Sequence, residues 1–364
     1  MVAMNAVGEA LESANRKSGL RPAARAFHAT RVTYRLEYRR YTLPFRLPVR
    51  TGHSLWPTRE GIVVRLENES GGVGWGEVAP IPWFGTETVD EAEAVLRELG
   101  GVATVAKLIE VPARWGCVRF ALESARGAMG EAKREYLPVA ALLPAGRGVL
   151  EKAAPLAEAG FRTFKWKVGV GDAADELGLL DDLIVRLPAG AKLRLDANGA
   201  WDRRKAERWL ERCAERPVEF VEQPIAPDAK AADDVLLGLA GDYPTPLALD
   251  ESLVGAGDVE RWLSVGWPGV FVVKPVLLGG AGAALASLAA AKATVVFSSA
   301  LETAVGAQAA LRRAFAWPGE ARALGFGVWP LFTDARCDGP AAAPFIRAAD
   351  VERLNPEAVW NALG

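Results

Sequence analysis

Histidine is the scarcest catalytic side chain in this sequence. The chain of 364 residues contains only two, His28 and His53, and both lie near its N-terminus. A serine or cysteine nucleophile that works with histidine needs partners arranged around it, and a zinc protease needs paired histidines on one helix. Neither pattern is present. If the chain performs acid–base chemistry, lysine and carboxylate side chains must carry it.

Cysteine, net charge and long apolar runs are also scarce. Cys117, Cys213 and Cys337 are far apart and form no CxxC pair, which is typical of reduced thiols in a cytoplasmic protein. With 43 basic and 45 acidic residues the net charge is −2, so nothing indicates binding to nucleic acid or to an acidic membrane surface. The absence of 18 consecutive apolar residues argues against a transmembrane helix.

The first 130 residues divide into two stretches that differ in amino-acid composition and in hydrophobic pattern. Residues 1–27 mix charged and small side chains without the apolar block of a signal peptide, so we expect a loose extension, with a plastid-type transit peptide as the alternative. Alternating and β-branched runs at 30–52 and 59–80 then predict strands, and 87–99 and 118–135 have helical spacing. We therefore expect an α+β domain over residues 28–130.

After residue 130, short apolar strands alternate with helices. A polar side chain stands at the end of each strand, at intervals of 24 to 29 residues: Lys167, Asp196, Glu222, Asp250, Lys274 and Ser298. One strand and one helix with short loops fill such an interval, which predicts a (β/α) barrel over residues 131–330. A doubly wound sheet would alternate in the same way, but the glycine fingerprint that binds phosphate is incomplete here. Residues 331–364 are expected to return to the first domain.

Three consecutive strands of this predicted barrel end in acids. Asp196, Glu222 and Asp250 should point into one mouth, where unpaired carboxylates would repel one another. A divalent cation removes this repulsion, and an all-oxygen site without histidine or cysteine favours Mg²⁺, with Mn²⁺ possible, over zinc. The alternative is that each acid pairs with an arginine or caps a helix.

Lysines flank the three acid strands. Lys165 and Lys167 share one face of their strand, so two ammonium groups should lower each other's pKa and provide a general base. The alternative, a surface pair on an edge strand, fits poorly in a barrel covered by helices. Lys274 follows four apolar residues and should reach the mouth from the opposite side, as an acid or a cationic stabiliser.

Four further polar residues are candidates for binding substrate. Arg194 and Asn198 alternate with Asp196 on one face, where they would support the metal ligands or make ordinary interior hydrogen bonds. Ser298 and Ser299 end a strand, and they would either donate to a substrate carboxylate or cap the next helix.

The ordered set KxK, LRLDAN, VEQP, LDES and VVKP resembles the enolase superfamily in its muconate-lactonising-type subgroup, over residues 30–364. The resemblance implies a modified (β/α)7β, TIM-like barrel with an N-terminal α+β capping domain and a capping loop near residues 52–56. Another subgroup uses a His–Asp dyad as its base, which the positions of the two histidines exclude here.

Within that subgroup, segments such as GWGEVAPIPWFGTETVDEAEAVL, FSSALETAVG and GFGVWPLFTD most resemble o-succinylbenzoate synthases of the cyanobacterial and plant-like kind. That resemblance implies dehydration of 2-succinyl-6-hydroxy-2,4-cyclohexadiene-1-carboxylate to 2-succinylbenzoate, through an enediolate, on the way to phylloquinone or menaquinone. It also implies the following roles: Mg²⁺ on Asp196, Glu222 and Asp250; Lys167 as base, tuned by Lys165 and partnered by Arg194; Lys274 as the cationic stabiliser; Ser298 or Ser299 on the succinyl carboxylate.

Other functions remain open at this point. An N-succinylamino-acid racemase would share the scaffold and both lysines. Dipeptide epimerases carry a DxD at the last barrel strand, whereas this chain has Gly325, Phe326 and Gly327 in that area. A non-catalytic binding barrel would not need all five charged positions filled, and a Schiff-base aldolase would not need the three acids.

Overall fold

The computed structural model describes residues 32–50, 55–127 and 130–364. The expected extension at 1–27, both histidines and residues 52–54 of the expected capping loop lie outside these described residues. None of the described helices is long and apolar enough to cross a membrane.

The described residues from 32 to 127, which we call the cap, form an antiparallel sheet packed with helices. The elements are β1 (Thr33–Arg50), β2 (Leu55–Asn68), β3 (Val73–Val78), α1 (Val89–Leu99), β4 (Val102–Thr104), α2 (Val105–Ile109) and α3 (Gly116–Ala125). The strand order is β3–β2–β1–β4. Helix α1 begins at a capping box, in which Thr88 Oγ1 accepts from the Glu91 amide and Glu91 Oε2 accepts from the Thr88 amide.

The predicted helix at 118–135 is wrong in its second half. Helix α3 ends at Ala125, and residues 130–135 are not helical. Gly127 has a φ of +77°, a left-handed conformation that glycine adopts without strain and that ends a helix. The apolar residues keep a helical spacing in the sequence beyond Ala125, but the helix itself ends there because of the glycine.

Gly76 lets α3 pack directly on β3. A Cβ atom at this position would lie 1.9 Å from the carbonyl oxygen of Ala121 in α3. We expect Gly76→Ala to lower the free energy of unfolding by about 1–3 kcal/mol, because the helix must move away from the sheet. Gly178→Ala is the matched control, since a Cβ there meets nothing within 4 Å. Denaturant unfolding should show that it is neutral or stabilising, and equal destabilisation by both variants would contradict this packing.

Within the described residues the barrel has seven parallel strands with helices between them, and one short strand, Tyr136–Pro138, precedes this sheet without joining it. The elements are β5 (Tyr136–Pro138), β6 (Ala141–Leu143), α4 (Gly148–Glu158), β7 (Thr163–Lys167), α5 (Ala173–Arg186), β8 (Lys192–Asp196), α6 (Arg203–Cys213), β9 (Val218–Glu222), α7 (Ala232–Asp242), β10 (Leu247–Leu249), α8 (Ala256–Ser264), β11 (Val270–Val273), α9 (Ala281–Ala290), β12 (Thr294–Phe297) and α10 (Ala304–Ala316). The parallel sheet runs from β6 to β12 in sequence order. This arrangement confirms the predicted fold class.

Residues 322–329 close the barrel with two bridges among the described residues. Leu324 pairs with Val139 and Gly325 pairs with Ser298, both in parallel. Because these bridges join the first and last parts of the sheet, the segment takes the eighth position of the ring.

The C-terminal residues lie against both parts of the chain. Strand β13 (Phe345–Arg347) pairs with β5, and helices α11 (Ala348–Glu352) and α12 (Pro356–Ala362) follow it. Phe332 forms a bridge with Phe45 of β1, and the Trp360 carbonyl accepts a hydrogen bond of 2.6 Å from Arg39. Segment 331–364 thus contacts the cap, while the domain limits at residues 130 and 330 stay predictions.

Candidate active site

The register of the parallel strands brings the predicted charged residues to one end of the barrel. Lys167 at the end of β7 is paired with Asp196 of β8, which is paired with Glu222 of β9. The next three candidates directly follow their strands: Asp250 after β10, Lys274 after β11 and Ser298 after β12. A cavity of about 300 Å³ opens here, with these polar lining residues: Lys165, Lys167, Asp196, Asn198, Asp250, Glu251, Lys274, Ser298 and Ser299.

Lys165 is held between two of the predicted metal ligands. Its ammonium group donates to Asp196 Oδ2 at 2.9 Å and to Glu222 Oε1 at 2.6 Å. Burial opposes the charged form, but the carboxylates of Asp196, Glu222 and Asp250 outweigh it and raise the pKa of Lys165. The expectation that neighbouring ammonium groups lower the pKa is therefore wrong for Lys165, because its closest charged partners are acids.

The acids respond in opposite directions to the same surroundings. Burial raises the pKa of Asp196, but the Lys165 ammonium outweighs it and lowers the pKa below its usual value. Burial, together with repulsion from Asp196 and Asp250, holds the pKa of Glu222 well above its usual range despite Lys165. Three acids thus share a confined region in which burial and their mutual repulsion make ionisation of Glu222 costly.

Lys274 lies across the barrel from Lys167. Strands β7 and β11 are four positions apart in the eight-position ring, so the two lysines approach the cavity from opposite walls. The Lys274 ammonium contacts Asp250 Oδ1 and lies 5.1 Å from the centre of the Phe84 ring, a cation–π distance. An acid of the barrel and an aromatic ring of the cap therefore orient this lysine together.

Two polar residues fix the loops that carry the acids. The buried Gln223 accepts hydrogen bonds from the amides of Asp250 and Ser252, and it donates to Ser252 Oγ at 2.8 Å. Asn198 donates from its backbone to Asp196 Oδ1 and from its side chain to Glu251 Oε1, both at 3.1 Å. Asn198 thus supports Asp196, which was one of the two alternatives predicted for Asn198.

The donor set at this end of the barrel fits a hard divalent cation. Burial, then repulsion from Asp250 and Asp196, raises the pKa of Glu251 to about 8, and its Oε2 atom has no hydrogen-bond partner among the described residues. No three acidic, histidine or cysteine side chains within the described residues have the spacing of a metal site, and Lys165 and Lys274 contact the carboxylates of Asp196 and Asp250. Oxygen donors, excess negative charge and an unpartnered buried oxygen are nevertheless what such a cation requires.

Arg194 is buried inside the barrel. Its Nε donates to Glu219 Oε2 and its Nη1 to the Ala323 carbonyl, both at 2.7 Å, and its guanidinium lies 4.9 Å from the Phe220 ring centre. These contacts link β8, β9 and the closing segment of the barrel. These are the ordinary interior hydrogen bonds that were one of the two predicted alternatives for Arg194. A role of Arg194 in substrate binding stays a prediction.

The two serines differ in their hydrogen bonding. Ser298 Oγ lies 3.4 Å from the Gly325 carbonyl, a long contact, and it lines the cavity. Ser299 Oγ donates to Glu302 Oε2 at 3.0 Å and accepts from the Leu301 amide at 2.9 Å, so its hydrogen is already used. Of the two, Ser298 has the hydroxyl that is better able to turn toward a ligand.

Gly325 must remain glycine for Ser298 to keep this position. A Cβ atom on Gly325 would lie 2.5 Å from Ser298 Oγ. An acidic side chain here, as in the DxD pattern of dipeptide epimerases, would displace the serine. The structure thus gives a steric reason for the absence of that pattern.

The cap supplies an apolar wall to the cavity. Trp56 packs edge-on against Trp83 with ring centres 4.6 Å apart, and both line the cavity together with Phe84. Leu142 and Leu143 of β6 add to this wall. A ligand with a flat apolar ring and charged ends would match a cavity with aromatic side chains on one side and lysines and acids on the other.

Two family models match the chain. Residues 34–129 match the N-terminal domain of MenC, and residues 148–343 match the enolase C-terminal domain-like family. A curated o-succinylbenzoate synthase from Thermosynechococcus vestitus is 40% identical over 301 residues, which cover 81% of this chain and 92% of that protein. The chain belongs to the o-succinylbenzoate synthase family of the enolase superfamily.

Solved structures agree with this family. The o-succinylbenzoate synthase of Thermosynechococcus elongatus, complexed with magnesium in its active site, is 36% identical; the match covers 90% of this chain and 99% of that one, with a TM-score of 0.76. The L-Ala-D/L-Glu epimerase of Bacillus subtilis shares the fold, with a TM-score of 0.74 at 23% identity and coverage of 86% and 95%.

Several residues of this family member were missed by sequence reasoning. Glu251 and Gln223 stand beside predicted ligands in the LDES and VEQP segments, so their position next to a strand end was the available signal. Trp83 and Phe84 carry no such signal, because the contact that brings them to the barrel mouth joins distant parts of the chain.

Proposed function

We propose that this chain is an o-succinylbenzoate synthase, a hydro-lyase that converts 2-succinyl-6-hydroxy-2,4-cyclohexadiene-1-carboxylate into 2-succinylbenzoate and water. The observation that carries the proposal is the pair Lys167 and Lys274 on opposite walls of one cavity, with carboxylates on the strands between them. The family membership of the chain supports this substrate. A step toward phylloquinone or menaquinone is part of the same proposal.

The difficult step is removal of the ring proton next to the carboxylate, which is a very weak acid. Mg²⁺, or Mn²⁺ in its place, held by Asp196, Glu222 and Asp250, would stabilise negative charge on the substrate carboxylate as the proton leaves. The proton transfers and the binding of the substrate are assigned to side chains of the protein itself.

Lys167 is proposed as the base. Its side chain lines the cavity at the end of β7, and its amine takes the ring proton to give an enediolate. The resulting ammonium then donates that proton to the departing hydroxyl on the same face of the ring, so one side chain removes both parts of the water. Lys165, which Asp196 and Glu222 hold in its charged form, keeps a positive charge beside this base.

Lys274 is proposed to stabilise the opposite face of the ring. Its contacts with Asp250 and the Phe84 ring hold the ammonium at the far wall. From there a fixed positive charge attracts the electrons that spread over the ring in the enediolate. Because Lys274 exchanges no proton in this scheme, its contribution is electrostatic.

Ser298 is proposed to bind the succinyl carboxylate. We expect Ser298→Ala to raise KM about tenfold or more with a smaller change in kcat, because a hydrogen bond to a charged group is lost. Ser287→Ala in α9, away from the cavity, is the matched control and should leave KM unchanged. Steady-state kinetics of both variants provide the test, and an unchanged KM for Ser298→Ala would remove this residue from the substrate site.

Product identification tests the proposed reaction. Incubation of the purified chain with the cyclohexadiene and Mg²⁺ should give 2-succinylbenzoate, recognised by its aromatic proton signals and by the loss of one water from the substrate mass. An unchanged cyclohexadiene, under conditions where N-succinylamino acids are racemised, would instead favour the racemase.

The proposal also includes a binding partner and a cellular location for the enzyme. We propose a small carboxylate as its partner and the cytoplasm as its location. The thiols of Cys117, Cys213 and Cys337 are free and buried, which supports a reducing compartment.

A further inference from the structure

The loop between β12 and α10 forms one wall of the cavity and is held in a strained shape. Residues 298–301 all line the cavity. Leu301 has a φ of +61°, in the left-handed region that side chains other than glycine rarely adopt. Such a conformation persists only where the surroundings hold it in place.

Glu302 binds this loop from behind. Its buried Oε2 atom accepts from Ser299 Oγ at 3.0 Å and from the Ala300 amide at 2.6 Å. Ser299 Oγ in turn accepts from the Leu301 amide at 2.9 Å. One carboxylate thus fixes three consecutive residues of the wall, and the strained residue is among them.

Arg59 of the cap binds the same loop from the other side. Its Nε donates to the Leu301 carbonyl at 3.2 Å, and its Nη1 donates to the carbonyls of Pro80 at 2.7 Å and Glu60 at 3.0 Å. Arg59 as a residue is 1% exposed, and its guanidinium lies 5.0 Å from the ring centre of Trp56 in the cavity wall. A single side chain therefore connects the cap to the strained residue of the barrel loop.

The loop is also fixed at its far end. Glu77 of β3 accepts hydrogen bonds from the amides of Thr303 at 2.9 Å and Gly306 at 2.7 Å, at the start of α10. The Oε1 atom of Glu302 and the Nη2 atom of Arg59 are buried without a hydrogen-bond partner among the described residues. Buried polar atoms without a partner cost stability, so stability alone does not explain why these two side chains are placed here.

We infer that Glu302 and Arg59 are positioning residues that hold loop 298–301 in the shape in which Ser298 receives the substrate. Glu302 acts through Ser299 and Ala300, and Arg59 acts through Leu301. Since neither side chain reaches the reacting ring carbons in this scheme, both affect substrate binding and leave the proton transfer by Lys167 intact. This inference rests on the proposed function of the cavity.

Glu302→Ala tests the inference by separating KM from kcat. We expect KM for the cyclohexadiene to rise about tenfold while kcat stays within about threefold, because binding is lost and chemistry is kept. Glu302→Gln should restore KM, since its amide oxygen can accept both hydrogen bonds. Asn68→Ala is the control: Asn68 Oδ1 likewise accepts from two loop amides, Ser70 at 3.0 Å and Gly72 at 2.8 Å, but in the hairpin between β2 and β3, whose residues do not line the cavity.

Two milder variants keep the test decisive if Glu302→Ala fails to fold. Ser299→Ala removes only the hydroxyl that joins Glu302 to Leu301, and Arg59→Lys removes the Nε donor; each should raise KM with little change in kcat. An unchanged KM in these variants, or an equal rise in Asn68→Ala, would overturn the inference. Turnover by the unaltered chain tests the proposed function separately, because it does not depend on how the variants differ.

Discussion

Lys167→Ala should abolish dehydration while the protein stays folded. We expect kcat to fall about 10³-fold or more, because the side chain proposed to remove the ring proton is also the one proposed to deliver it to the leaving hydroxyl. Both halves of the elimination are lost in one substitution. The measurement is the rate of 2-succinylbenzoate formation at saturating substrate and Mg²⁺.

The matched control for this experiment is Lys230→Ala. Lys230 is exposed, precedes α7 and is not among the residues lining the cavity, so its removal should leave kcat unchanged. Thermal unfolding and binding of the product should be nearly the same for Lys167→Ala and the unaltered chain. Near-normal turnover in folded Lys167→Ala would show that another side chain acts as the base.

Removal of divalent cations should have an effect of similar size. We expect EDTA to reduce turnover at least about 10³-fold and Mg²⁺ or Mn²⁺ to restore it, because several kcal/mol of charge stabilisation are lost with the cation. Asp196→Asn should raise the Mg²⁺ concentration that gives half-maximal activity about tenfold or more, since a neutral amide replaces a charged ligand.

An exposed aspartate controls for the effect of charge alone. Asp242→Asn at the end of α7 removes the same charge from the surface, and its Mg²⁺ dependence should match that of the unaltered chain. Direct titration of Mg²⁺ by calorimetry gives a readout independent of turnover. Full activity in EDTA, or equal Mg²⁺ binding by Asp196→Asn, would contradict the assignment of these acids.

The positions of the charged side chains could be predicted because a barrel repeats. Each strand and helix fills a similar length of chain, so polar residues at regular intervals fall at the same end of successive strands. The pairing of Lys167 with Asp196, and of Asp196 with Glu222, follows from that repetition. For the same reason the fold class was predictable while the end of α3 at Ala125, which one glycine determines, was missed.

The protonation of Lys165 could not be predicted from its own strand. The sequence places Lys167 two residues away, which suggests two ammonium groups in repulsion. The folded chain instead brings Asp196 and Glu222 within 2.9 Å and 2.6 Å, from two other strands. A pKa depends on the nearest charges in space, and these become visible only with the fold.

Contacts between cap and barrel were equally inaccessible. Arg59 and Leu301 are 242 positions apart, and neither belongs to a repeating pattern. Trp83 and Phe84 reach the cavity from a segment that sequence reasoning used only for the family resemblance. Contacts between the cap and the barrel follow no repeating pattern in the sequence of either part, so periodicity does not reveal them.

The most direct measurement compares two reactions of the unaltered chain. The change in ultraviolet absorbance as the conjugated cyclohexadiene becomes 2-succinylbenzoate gives kcat/KM for dehydration, and polarimetry of N-succinylamino acids gives the same constant for racemisation. We expect dehydration to be detected and to have the larger kcat/KM, and the Lys167→Ala variant to show no change in absorbance above the uncatalysed rate. Absence of 2-succinylbenzoate formation by the unaltered chain with Mg²⁺ would contradict the proposed function.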